Sequence, residues 1–301
     1  MDMLKVSHVS KKFGSNRIIE DLSFAVKEHT IYGFIGQNGA GKTTTMKMIL
    51  GLLAMDSGEI LVNGEPVSYG QNKTNQYIGY LPDVPEFYSF LTPMEYLALC
   101  GKITEMEEIR RKERAENLLE LVGLSAKANK RIHGFSRGMK QRLGIAQALL
   151  NEPKVLICDE PTSALDPLGR KEILDILSQV KEHTTVIFST HILSDVERIC
   201  DEVGLLHQGK LAVGGTIEEI RRMHQSDGFE IEFRTPEEAA LFLTKMSGGE
   251  YKGKTVLSYA GGAEQKMHKA YGILAESGIS PIRIEVQEPT LESLFMEVIG
   301  G

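Results

Sequence analysis

In the nine residues Gly36-Gln37-Asn38-Gly39-Ala40-Gly41-Lys42-Thr43-Thr44, the first eight match the pattern G-x-x-x-x-G-K-[ST]. That spacing suits the cradling of a nucleotide's phosphates. Glycines let backbone N–H groups turn inward and approach the phosphates with no Cβ in the way. Lys42 supplies a point charge to the β- and γ-phosphates, and Thr43 offers a hydroxyl to magnesium. Further on, the apolar run Lys154-Val155-Leu156-Ile157-Cys158 ends in Asp159-Glu160. At a strand end one carboxylate can hold magnesium, and its neighbour can polarise an attacking water. Paired acids at a buried strand end need a partner, and a metal-bound triphosphate is one. The loop predicts ATP with Mg2+ as ligand, but alone it does not separate kinases, GTPases and transport ATPases.

These residues must be held by rigid elements. Residues 30–35 form a short, mainly apolar run that leads straight into the loop, and 43–53 reads as the helix after it. The dipole of a helix starting at the loop adds to phosphate binding. Residues 154–158 and 184–188 read as two more buried strands, and 4–8 and 18–26 as strands near the N-terminus. Apolar strands alternating with helices argue for an α/β fold with a mostly parallel sheet covered on both faces. Residues 92–150 are helix-rich, with Glu107 and Glu108 four residues before Arg111 and Lys112, as suits an exposed face. Ser136 is a plausible cap for a helix running into the apolar stretch 143–150.

The order of these motifs resembles the ATP-binding cassette (ABC) family of transport ATPases over residues 3–220. Ser136-Arg137-Gly138-Met139-Lys140-Gln141 is similar to the family's signature. It precedes Asp159-Glu160-Pro161-Thr162, with Ser163-Ala164-Leu165-Asp166 in the place of the D-loop. Ser189-Thr190-His191 stands where the family carries its switch histidine. The resemblance implies a P-loop cassette with N-terminal antiparallel strands, a parallel core sheet and a helical subdomain. Two cassettes would face each other head to tail, so the partners would be a second copy or a related cassette, together with a membrane-spanning permease. Ser136 and Gly138 would then touch the nucleotide held by the facing subunit. Glu160 would be the catalytic base and His191 would contact the γ-phosphate. Thr43 and Asp159 would serve magnesium, and Phe13 would stack on adenine or simply belong to the core. Two positions depart from the family. Asp83 stands where a glutamine is usual; it could still reach magnesium through water, but when ionised it cannot donate a hydrogen bond. Arg137 replaces a glycine and either meets the polyphosphate or points to solvent. The aromatics Phe87, Tyr88, Phe90 and Tyr96 either pack under the helical region or line a groove for a cytosolic helix of the permease.

The boundaries read as 1–224 for the cassette and 227–301 for a small C-terminal accessory α+β domain. In the latter, Phe229, Ile231 and Phe233 alternate. A helix over 236–246, a strand over 251–259, a helix over 264–276, a strand over 282–286 and a last helix from Thr290 follow. Pro289-Thr290-Leu291-Glu292-Ser293-Leu294-Phe295 resembles the closing segment of cassette ATPases serving two-part bacterial exporters. From Asp227 onward 12 acidic and 7 basic residues give -5 of the chain's net -7. No metal or nucleophile constellation is evident there, and His268 reads as a surface residue.

The 301 residues, 42% hydrophobic and 25% charged, are ordinary for a globular chain. The acidic balance argues against nucleic acid as a partner. No apolar run reaches membrane-spanning length and no signal-peptide stretch opens the chain, so a cytoplasmic location is expected, peripheral on the inner membrane face through the permease. Cys100, Cys158 and Cys200 fit neither a disulfide framework nor a zinc pattern. A cassette ATPase acting on ribosomes or DNA would usually carry two cassettes or a long coiled-coil insertion, and neither is present. A decayed interaction module is opposed by the intact Lys42, Asp159, Glu160 and His191.

Overall fold

The computed structural model describes residues 1–71, 73–223, 228–261, 263–287, 291–292 and 294–295. They fall into two compact units, Met1–Ile217 and Glu218–Gly301.

The first unit opens with a long hairpin, β1 (Asp2–Phe13) and β2 (Asn16–Lys27), turning at Gly14-Ser15. Both strands are longer than the sequence pattern indicates, because bulges in their pairing interrupt strict alternation. Next come β3 (Ile31–Gly36), α1 (Lys42–Ile49), β4 (Ser57–Val62), β5 (Glu65–Pro66) and β6 (Ile78–Leu81). The helices α2 (Pro93–Ile103), α3 (Glu108–Leu121) and α4 (Arg137–Ala148) follow. The unit continues through β7 (Val155–Asp159), α5 (Pro167–Val180), β8 (Thr185–Thr190), α6 (Leu193–Ile199), β9 (Glu202–His207) and β10 (Lys210–Thr216). An antiparallel sheet has the order β2-β1-β4-β5. The central sheet has the order β10-β9-β3-β8-β7-β6, parallel from β9 to β6, with β10 antiparallel at its edge. The α/β cassette architecture expected from the sequence is therefore present.

The two sheets and α1 share one core. Leu4, Val6, Leu22 and Ile60 from the antiparallel sheet pack with Met46, Met48 and Ile49 of α1 and with Phe34, Ile157 and Ile187 of the central sheet. Every residue of β3, β7 and β8 is buried, which is why these strands read as apolar runs. The helix after the loop ends at Ile49 rather than running to Leu53, because Gly51 takes a left-handed φ of 67°.

The helix-rich stretch is confirmed. Thr92 opens α2 with a reciprocal capping box to Glu95 and with Pro93 in the first turn. Ser136 caps α4, its Oγ accepting from the Met139 N–H at 3.3 Å. The charge pairs differ from the sequence pattern. Arg110 pairs with Glu152 at 2.9 Å, and Arg111 donates to the Met106 carbonyl at 3.1 Å. Of the aromatics, Phe87 packs edge-on against the buried Tyr96, with ring centroids 5.0 Å apart, whereas Tyr88 and Phe90 are exposed. All three cysteines are free, and burial pushes the Cys158 thiol pKa up.

The second unit contains most of α7 (Ile217–Met223), then β11 (Gly228–Glu232), α8 (Pro236–Lys245), β12 (Glu250–Tyr251), β13 (Val256–Tyr259), α9 (Ala263–Ser277) and β14 (Arg283–Gln287). The strand expected over 251–259 is instead a tight hairpin, β12 and β13, turning through 252–255. The sheet order β12-β13-β11-β14 with β-α-β-β-α-β succession is the split βαβ arrangement. Phe229, Ile231, Phe242, Leu257 and Tyr259 are at the centre of its core. His268 is exposed. Part of the expected closing helix, and of the segment from Pro289 to Phe295, lies outside the described residues.

Candidate active site

The phosphate-type loop joins the buried β3 to α1, and its curvature needs glycine. Gly39 and Gly41 have φ of 84° and 110°, values that side chains rarely tolerate. A Cβ on Gly41 would also stand 2.5 Å from Ile19 Cδ1. The Lys42 ammonium, only 6% exposed, is drawn back into the loop, donating to the Gly36 carbonyl at 2.7 Å and the Gln37 carbonyl at 3.3 Å. Its Nζ also lies 3.2 Å from Glu160 Oε1.

Asp159 ends β7 beside β8, and its buried carboxylate accepts two hydroxyls. Thr43 Oγ1 donates to Oδ2 at 2.9 Å and Ser189 Oγ donates to Oδ1 at 2.6 Å. Ser189, fully buried, also accepts from the Glu160 N–H at 3.0 Å, so one hydroxyl holds both acids. Glu160 has a φ of 49°, a left-handed conformation costing about 1–3 kcal/mol for such a residue. That turn lifts its side chain out of the strand. Oε2 meets His191 Nδ1 at 2.9 Å, while Oε1 is buried without a hydrogen-bond partner. On β6, burial and then the Asp159 charge push the Tyr80 hydroxyl pKa up to about 12.

A cleft of about 430 Å³ brings most of the expected residues together. Phe13, Gln37, Asn38, Gly39, Gly41, Lys42, Thr43, Thr44, Asp83, Asp159 and Glu160 line it, with Ile18. Ala40 completes the loop. Phe13, at the end of β1, is 52% exposed, with Lys11 Nζ 5.4 Å from its ring centroid. Ser136 and Gly138 lie outside the cleft on the first turn of α4. Arg137 is exposed and also has partners that the sequence did not suggest. Its Nη2 donates to Asp83 Oδ1 at 3.1 Å and to Ser163 Oγ at 3.0 Å. Sequence reasoning missed Ser189 and Ser163, whose partners lie 30 and 80 residues away in the chain.

The residues fit a magnesium nucleotide. An ammonium rests among carbonyls in a concave loop, a hydroxyl–carboxylate pair stands beside it, and one buried glutamate oxygen facing that ammonium makes no hydrogen bond. Among the described residues no cluster of three or more His, Cys, Asp or Glu could cage a metal. A cation here would share its coordination with phosphates, as magnesium does.

Comparison with known proteins agrees. The ABC transporter family model matches residues 19–163. The chain is 37% identical over 301 residues to an uncharacterized ABC transporter ATP-binding protein, YxlF, of Bacillus subtilis, covering 99% of each. It is likewise 37% identical over 307 residues to the bacitracin transport ATP-binding protein BcrA of Bacillus licheniformis, covering 99% of this chain and 98% of that one. A solved structure of the ATP-binding subunit of an ABC transporter superposes with a TM-score of 0.67 at 35% identity, over 73% of this chain and 92% of the other. With fold, motif order and full-length similarity in agreement, the chain belongs to the ABC transporter ATP-binding proteins, the ATP-hydrolysing subunits that pair as cassettes and work with a separate membrane-spanning partner.

Proposed function

We propose that this subunit powers export, hydrolysing magnesium-bound ATP at the inner face of the cell membrane while docked on its permease. Its full-length similarity to a bacitracin transport subunit supports the export reading. Among the described residues no helix is long and apolar enough to cross a membrane, which fits attachment through a partner. The observation that carries the catalytic reading is that Glu160, in the cleft with Lys42, meets the Lys42 Nζ at 3.2 Å through one oxygen and His191 Nδ1 at 2.9 Å through the other.

Bound Mg–ATP supplies the phosphoanhydride to be cleaved by water into ADP and phosphate. The loop from Gly36 to Thr44 holds the phosphates through its N–H groups and Lys42, and Phe13 offers its exposed ring to adenine. Thr43 and Asp159 would hold magnesium, and Asp83, which lines the same cleft, would serve it as a further carboxylate. Glu160 Oε1, which makes no hydrogen bond and lies 3.2 Å from the Lys42 ammonium, receives the proton of the attacking water. His191 fixes Glu160 through the other oxygen and faces the γ-phosphate. Ser136 and Gly138 serve the nucleotide of the facing cassette, and the C-terminal unit is an accessory domain. Removing the Lys42 charge-assisted contact by Lys42→Ala weakens ATP binding by about 10- to 100-fold. Equilibrium nucleotide binding checks this, and undiminished affinity would remove the loop from the site.

A further inference from the structure

The two departures from the family pattern are each other's partners. Asp83 Oδ1 accepts from Arg137 Nη2 at 3.1 Å and from Ser163 Oγ at 2.7 Å, and Arg137 also donates to that Ser163 hydroxyl. One turn further along the same face of α4, the buried Gln141 donates from Nε2 to the Asp83 carbonyl at 2.6 Å. The helix therefore grips Asp83 by its carboxylate and by its backbone. Ser163 in turn belongs to the turn that starts at Glu160, whose carbonyl accepts the Ser163 N–H at 3.1 Å. Ala164, next along, is held at a left-handed φ of 51°.

We propose that Arg137, Asp83 and Ser163 form a positioning clasp that ties the first turn of α4 to the loop carrying Glu160, so that Arg137 governs turnover rather than ATP affinity. A glutamine at 83 could not pair ionically with Arg137, and a glycine at 137 would have no donor to offer; each substitution makes sense in the presence of the other. The ion pair is nearly half exposed, with side-chain exposures of 43% and 47%, so it adds little stability. What it contributes is geometry. Ser136, next to Arg137, serves the facing cassette's nucleotide, so the clasp connects that contact to the base in its own cleft. Arg137 acts through Ser163 and is not itself a catalytic residue.

The clasp rests on Glu160 being the base, and the test separates the two. The full chain, purified with its membrane partner, is compared as wild type, Arg137→Met, Arg137→Lys, Ser163→Ala and the Arg137→Met/Ser163→Ala double variant. Arg137→Met is expected to lower kcat by about 10- to 100-fold, the scale of a small misplacement of a catalytic group. Its ATP affinity stays within about twofold, roughly a third of a decade. Arg137→Lys keeps the charge without the planar fork and recovers part of kcat. The double variant loses no more than about twofold beyond Arg137→Met, because both changes break one unit. Without nucleotide, amide exchange over 160–166 is faster in Arg137→Met and slower again in Arg137→Lys. A loss of ATP affinity larger than the loss of kcat, or losses that multiply in the double variant, overturns the clasp. Absence of turnover in the wild type overturns the reading of Glu160 and the clasp with it.

Discussion

Glu160 pays a backbone cost to leave the strand that Asp159 completes. Its left-handed φ persists because Ser189 holds its N–H and His191 holds its carboxylate. Ser189→Ala removes a donor from the buried Asp159 and an acceptor from Glu160 N–H. We expect a destabilisation of about 1–3 kcal/mol, read by chemical denaturation, accompanied by a lower kcat. The acids and the histidine were legible in the sequence, since each follows an apolar strand or stands at a family position. Ser189 was not legible as a brace, although it sits two residues before His191. A hydroxyl's role depends on what the fold brings opposite it, here a carboxylate from the neighbouring strand. Arg137 is the same case, with a partner 54 residues upstream that no local pattern announces.

The seam between β6 and α4 sets where Asp83 and Arg137 meet. Gly79 of β6 faces the end of α4, and a Cβ there would overlap the Ala148 carbonyl oxygen. Backbone gives way poorly, so Gly79→Ala should cost about 1–3 kcal/mol in thermal or chemical unfolding. It should also lower turnover by shifting Asp83. The strands that carry the site were readable because they are buried on both faces. Elements at the margins were harder. β12 and β13 read as one strand because the turn at 252–255 lacks a strong Asn-Gly signal, and the turn at Gly51 shortened α1.

Each unit of the whole molecule has a core of its own. In the second unit, Phe242 packs against Phe233 with centroids 5.1 Å apart and meets Tyr259 edge-on at 6.4 Å. Phe242→Ala should cost that unit about 3–5 kcal/mol, seen in a thermal melt. Its element succession was legible from Phe229 onward, whereas the strand order in its sheet depends on pairing that no local pattern encodes. The central claim at this scale is that the cleft holds half of a shared site, with Glu160 as base. It is tested most directly by mixing Glu160→Gln with magnesium and ATP and measuring mass and turnover together. The account predicts that the 33.4 kDa chain becomes a stable particle of twice that mass only when ATP is present. It also predicts a kcat about 10²- to 10⁴-fold below wild type. An unchanged kcat, or a chain that stays monomeric with ATP bound, would contradict it.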